Sequence, residues 1–315
     1  MRSVLLASSA LLVVSSLACS SSAPPSGFGN EPPGSSGGFG SSSSSSGSLG
    51  SSSGSTPASN DDGCSEEAKL VYVVSAEYDL YKFEPDKLAF TKIGALACPS
   101  GGATPNSMAI DRSGTAWVNY SDGALFKVST KDASCEATSF KKGQSTFVKF
   151  GMAFASNAAG SQDETLFVSG IEDSAFGDGG KGLATIDLKT MKLTPISDYP
   201  GDLRKMGAEL TGTGDGRLYG FFTTFPDATL AKIEKSSAAT SDSRSLDGVN
   251  TGNAWAFSFW GGDFWFYTST GLEPSRVTRL RSKDGSIEVV KPNVGGFRIV
   301  GAGVSTCAPL TSGPR

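Results

Sequence analysis

The 315-residue sequence contains no histidine. Ser-His-Asp and Cys-His nucleophile systems, His-ligated zinc and the commonest general bases are therefore excluded. Any catalysis would have to run on carboxylates, lysine, tyrosine or a bound cation. Basic runs are missing too: nothing exceeds the pair Lys141-Lys142 and the formal net charge is −4, so nucleic acid is not an expected partner. No apolar run approaches the roughly 18 residues of a membrane-spanning helix; Val4 to Val14 is short and broken by two serines. Nucleotide and calcium loops are absent as well. In FGDGGKG, Phe176 to Gly182, Ala175 stands where a phosphate loop needs its first glycine and Gly182 where it needs Ser or Thr. The acidic stretch EDSAFGDG lacks the alternating Asp and Asn of a calcium loop and reads as a hairpin loop. Asn119-Tyr120-Ser121 fits a glycosylation sequon but falls inside a predicted strand.

The first 18 residues hold one basic residue, Arg2, then the apolar run, then Ser16-Leu17-Ala18 directly before Cys19. This is the layout of a secretory signal peptide over 1–18. A cysteine placed immediately after small residues resembles the lipobox of bacterial lipoproteins, with the departure that Ser16 stands where leucine is usual. The resemblance implies cleavage before Cys19, acylation of its thiol and attachment to a membrane through the acyl chains. Ser20 in place of an aspartate implies the outer membrane or cell surface. The other reading of the same residues is ordinary cleavage after Ala18, releasing a soluble protein.

From Cys19 to residue 63 the chain is nearly all Ser, Gly and Pro, including the run Ser41 to Ser46. Such a segment cannot bury enough apolar surface to offset its ordering entropy and is expected to be a disordered tether. A Gly/Ser coil of this length reaches roughly 35 Å.

Residues 64–308 carry the aromatic and β-branched content, and they repeat. DLYKFEP, ALFKVST, GLATIDL, TLAKIEK and RVTRLRS place Lys82, Lys127, Thr185, Lys232 and Arg279 at equivalent positions, with spacings of 45, 58, 47 and 47. Three of the four spacings match the roughly 40 to 50 residues of a four-stranded propeller blade, and the spacing of 58 holds the stretches SNAAGSQDE and EDSAFGDGGKG, which read as loop insertions. Strand-like runs such as TAWVNYS, TLFVSGI, RLYGFFTT and DFWFYTS precede four of the motifs, and KLVYVVS precedes the first. Before these come short segments centred on Ala109, Ala153, Ala208, Ala256 and Ala302, whose small residues suit strands crowded round an axis. The last such segment has no second strand after it, and the first repeat has no inner strand before it. The expected fold is all-β: a five-bladed β-propeller closed by N- and C-terminal strands in one blade, with a disordered tail over 309–315. AIDRSGTAWVNYSDGALFKVS resembles an NHL-type repeat, within the broad propeller superfamily.

Setting Cys19 aside leaves Cys64, Cys98, Cys135 and Cys307, an even number in an exported chain, which favours two disulfides. The closed ring brings Cys64 and Cys307 to one hairpin end. Elimination leaves Cys98 for Cys135.

Propellers bind ligands on the face formed by loops from second to third strands and loops between blades. Here the candidates are Tyr78, Asp79, Asn106, Tyr120, Asp122, Arg204, Asp227 and Asn253; the same loops carry Glu77, Lys149, Glu172, Asp173, Phe176, Asp178, Phe225 and Glu273. In the aromatic cluster Ala254 to Tyr267 most rings are expected in the core, with Trp260 the one at the surface. The expected function is a non-catalytic binding or scaffold module at the cell envelope, for a protein or glycan partner and with no required cofactor. The alternative is a propeller enzyme of lactonase or lyase type, with calcium as its candidate cation; a third is a purely structural envelope ring.

Overall fold

A computed structural model describes residues 63–171 and 179–311. The expected signal peptide, the expected lipidation of Cys19 and the expected tether up to residue 62 lie outside the described residues, as do Glu172, Asp173, Phe176 and Asp178 of the acidic stretch and residues 312–315.

Twenty strands run through the described residues. The first three are β1 (Val71–Ser75), β2 (Asp79–Glu84) and β3 (Ala89–Ala95). Four runs of four follow. They are β4 (Pro105–Ile110), β5 (Thr115–Tyr120), β6 (Leu125–Ser129) and β7 (Cys135–Ala137); β8 (Lys149–Ser156), β9 (Glu164–Ile171), β10 (Leu183–Asp187) and β11 (Lys192–Ser197); β12 (Ala208–Gly212), β13 (Leu218–Phe222), β14 (Thr229–Ile233) and β15 (Thr240–Ser245); and β16 (Ala254–Trp260), β17 (Asp263–Ser269), β18 (Arg276–Leu280) and β19 (Ile287–Lys291). The final strand, β20 (Ile299–Gly303), pairs antiparallel with β1 through Tyr72 opposite Gly303 and Val73 opposite Ala302. This completes the first sheet in the order β20-β1-β2-β3. The five four-stranded sheets are the five blades of a β-propeller, closed by strands from both ends of the folded region.

Each inner strand packs on the inner strand of the next blade, from β4 through β8, β12 and β16 to β20 and back to β4. Crowding at this ring explains the small residues there. A Cβ added at Gly151 of β8 would lie 2.1 Å from the Ala208 carbonyl oxygen, and one at Gly212 of β12 would lie 2.1 Å from that of Phe154. The second strands are buried on both faces because each sheet is sandwiched between two others; every residue of β17 is buried. At the rim the pattern reverses, and in β15, TSDSRS, five of the six residues are exposed.

Two disulfides are formed. Cys64 joins Cys307 with a Cα–Cα distance of 5.8 Å, and Cys98 joins Cys135 at 5.1 Å. The second ties the end of blade 1 to the outermost strand of blade 2.

Beyond β20 the chain crosses beneath the ring. Ser305 Oγ donates to the Ala68 carbonyl at 2.7 Å, the Thr306 carbonyl oxygen sits against Gly214, and the Pro309 carbonyl accepts from Gly261 N at 2.9 Å. The chain thus stays docked as far as Leu310, whose carbonyl lies against Gly262, past the expected end of the folded domain at 308. Trp260, expected at the surface, is half-buried: its Nε1 donates to the Lys69 carbonyl at 2.9 Å because residues leading into β1 run over it.

Candidate functional site

The propeller has two unlike ends. Hairpins from first to second and third to fourth strands gather at one, with Cys64 and Cys307; loops from second to third strands and between blades gather at the other, the loop face.

The end that holds Cys64 and Cys307 carries a half-buried polar knot. Arg112 N donates to Glu164 Oε1 at 2.8 Å, Thr306 Oγ1 donates to Glu164 Oε2 at 2.7 Å, and Arg112 Nη1 donates to Thr306 Oγ1 at 3.0 Å. Burial raises the Glu164 carboxyl above the ordinary carboxylate range, against the pull of the Arg112 amide. Three elements far apart in sequence are tied there.

Within the ring, Ser107 Oγ donates to Glu209 Oε2 at 2.7 Å. Ser107 is on β4 and Glu209 on β12, two blades apart, so the contact passes in front of β8, which lies between them. Gly151 of β8 supplies the room; its added Cβ would lie 2.7 Å from the Glu209 Cα. Glu209 is 2% exposed, and burial pushes its carboxyl well above the ordinary range, with the Ser107 hydroxyl opposing. The shift favours the protonated form of this carboxyl, held against the Ser107 hydroxyl.

On the loop face most candidate side chains serve their own loops. Asn106 Nδ2 donates to Asn119 Oδ1 at 3.1 Å and to the Phe150 carbonyl at 3.3 Å, and Asn119 Oδ1 also accepts from Phe150 N at 3.1 Å. This amide pair fastens blade 2 to blade 3. Asp79 pairs with Lys92 at 2.6 Å, and Asp122 pairs with Lys142 while accepting from Ala124 N at 3.0 Å. Asp227 Oδ1 accepts from Gly248 N at 3.1 Å and Asn253 Oδ1 from Gly271 N at 2.6 Å. Tyr78 is half-buried at a φ of 64°, its carbonyl accepting from Leu96 N at 2.6 Å. Arg204 is largely exposed and 3.6 Å from Asp198.

Tyr120 is a correction to the sequence reading. As the last residue of β5 it turns into the blade interface, where it is fully buried with its ring 4.9 Å from Phe126. Burial raises its hydroxyl pKa, with Tyr78 adding to the effect. The candidates do not converge on one point, and among the described residues no three Asp, Glu, His or Cys side chains gather at metal-binding distance.

The loop face instead presents apolar side chains to solvent. Phe225 is 91% exposed, Leu272 86% and Val148 41%. Phe225 and Leu272 occupy equivalent second-to-third loops of adjacent blades, β13–β14 and β17–β18. Phe225 was visible in the sequence as an aromatic beside Pro226 in a loop; Leu272, in TGLEPS, carried no comparable signal. Glu209 was readable only as a lone acid in the otherwise small and apolar inner-strand segment GAELT.

No family model and no curated protein matches this sequence. Among solved structures it is similar to TolB from Acinetobacter baumannii, at 13% identity over 71% of this chain and 52% of that one, with a TM-score of 0.39. It is also similar to an extracellular domain assigned to a one-component system of B. thetaiotaomicron, at 13% identity over 74% of this chain and 30% of that one, with a TM-score of 0.37. The chain thus spans about half the length of the first and under a third of the second. Likeness at these TM-scores carries no argument, and the five-bladed propeller rests on this chain's own strand pairing.

Proposed function

We propose that this chain is an exported, lipid-anchored β-propeller that acts as a non-catalytic binding module at the cell envelope, with the loop face as its contact surface for an envelope protein. The observation that carries this reading is the pair Phe225 and Leu272, 91% and 86% exposed on adjacent loops of one face. Large apolar side chains held out in solvent on neighbouring loops are the form that interface anchors take before a partner covers them. A protein suits the face better than a glycan, because all four tryptophans are buried or half-buried and none offers a stacking platform there. Export is supported by the two disulfides. Cys64, the first cysteine of the described residues, lies with its partner Cys307 at the end of the propeller opposite the loop face.

The test is site-specific photo-crosslinking in intact cells, with a photoreactive phenylalanine analogue at position 225, at 272, or at 289 on the outer strand β19. The same discrete adduct is expected from 225 and 272, weakened at 225 by Leu272→Ser, and absent from 289. Equal adducts from all three positions, or none from the loop face, would overturn the assignment.

A further inference from the structure

A second surface feature lies away from the loop face, in the cleft between blades 4 and 5. It has a volume of about 390 Å³, within the range of about 300 to 1,000 Å³ usual for small-molecule sites. Its floor is aromatic. The Tyr219 and Phe264 rings meet edge-to-face at 4.9 Å, and Phe259 and Phe264 at 5.1 Å, backed by Leu230 and Leu280. Its rim carries Arg217, Lys232, Arg244 and Arg281 with Asp242, and two of these cations are ion-paired, Arg217 with Asp215 and Arg281 with Glu288. Against the three acids Asp215, Asp242 and Glu288, the four cations leave a local excess of one positive charge in a chain whose net charge is −4.

These cations are partly positioned in advance. Arg217 Nε donates to Asp215 Oδ1 at 2.9 Å and Nη1 to the Tyr219 hydroxyl at 3.0 Å, which sets the guanidinium 5.8 Å over the Tyr219 ring and 5.7 Å over that of Phe259. Arg281 Nη2 is held by Glu288 at 2.9 Å. Arg244 reaches from the rim strand of blade 4 to the Gly285 carbonyl of blade 5 and so bridges the cleft. Side chains already fixed in place lose little entropy when a ligand arrives.

We propose that this cleft is a binding site for a small organic monocarboxylate with a flat apolar body, such as an aryl-alkanoate. The apolar body would lie against the aromatic floor beside the Arg217 guanidinium that already covers the Tyr219 and Phe259 rings, and the carboxylate would meet Arg244 and Lys232 at the rim. Guanidinium groups match the planar carboxylate, and aromatic rings supply apolar area with stacking geometry. Neither element alone selects this class, since a neutral aromatic wastes the rim and inorganic phosphate wastes the floor. The site is independent of the loop face and of any partner bound there.

The test is titration of the full chain with three probes followed by NMR: 4-phenylbutyrate, the uncharged 4-phenylbutanol, and inorganic phosphate. Saturable binding of phenylbutyrate below about 10 mM is expected, at least about tenfold tighter than either of the others. Arg244→Ala, which also loses the link to Gly285, and Lys232→Gln are each expected to weaken phenylbutyrate severalfold, with the melting temperature unchanged in Lys232→Gln. Equal binding of acid and alcohol, equal binding of phosphate, indifference to both substitutions, or no saturable shift would each overturn the proposal.

Discussion

Ser107 and Glu209, 102 residues apart in sequence, meet at 2.7 Å across the inner strand β8, in front of Gly151, which places no side chain between them. The carboxyl is buried, so folding raises its pKa well above the ordinary 4.5. Below pH 4.5 both folded and unfolded chains carry the proton, and this group costs nothing. As pH rises the unfolded chain releases the proton while the folded one keeps it, so stability falls by up to about 1.4 kcal/mol per pH unit until the folded group itself titrates. Glu209→Gln keeps an acceptor for Ser107 and removes this slope. The variant is expected to melt above the wild type at pH 8, with the gap closing by pH 4. Glu164 shifts in the same direction but is present in both proteins, so the difference isolates Glu209. Parallel melting curves across this range would show that Glu209 is ionised in the fold.

The two disulfides are expected to contribute unequally. In the loop-entropy model, bridging the 243 residues between Cys64 and Cys307 stabilises by roughly 5 kcal/mol and the 37 between Cys98 and Cys135 by roughly 4 kcal/mol. At about 2 to 4 °C per kcal/mol, replacing Cys64 and Cys307 by Ser should lower the melting temperature by about 10 to 20 °C, and replacing the other pair by somewhat less. A smaller loss from the terminal pair would mean that the β20–β1 ladder and the segment beneath the ring already hold the ends together.

How much of this was legible in sequence follows from what is periodic. Blade number, strand order and the closing strand were readable because Ala109, Ala153, Ala208, Ala256 and Ala302 recur wherever backbones crowd the axis, and each lies in an observed inner strand. The Cys64–Cys307 bridge followed from closure. The site was less legible because a hairpin loop and a binding loop draw on the same residues: Asp227, Asn253 and Asp122 looked available in sequence yet are occupied by nearby backbone amides. Tyr120 shows a second limit, since a strand's last residue points into or out of the core according to register. Glu209 depends on a partner 102 residues away, which no local pattern encodes.

Gly151 offers a sharper test of ring crowding than any core truncation. An alanine methyl there would sit 2.1 Å from a backbone oxygen of the next blade, which cannot move without shifting β12. Gly151→Ala is expected to cost about 3 kcal/mol or more, or to prevent soluble folding. The comparison is Gly101→Ala, where φ is 62° and nothing lies within 4 Å of the added Cβ. Only left-handed backbone strain applies there, at about 1 to 2 kcal/mol. Equal losses from the two substitutions would mean that the inner strands have slack the structure does not show.

The proposed lipid anchor can be removed without touching the fold, because Cys19 takes no part in either disulfide. Each buried acyl methylene adds about 0.8 kcal/mol of membrane affinity, so two or more chains on Cys19 would hold the protein to the membrane through high-salt and alkaline washes. Cys19→Ser is expected to move the protein into the soluble fraction while leaving the melting temperature and both disulfides unchanged. Persistence of the variant in the washed membrane fraction would show that an uncleaved leader or the propeller itself provides attachment. In that case Phe225 and Leu272 would become the first residues to test as the membrane contact, since they are the most exposed apolar side chains among the described residues.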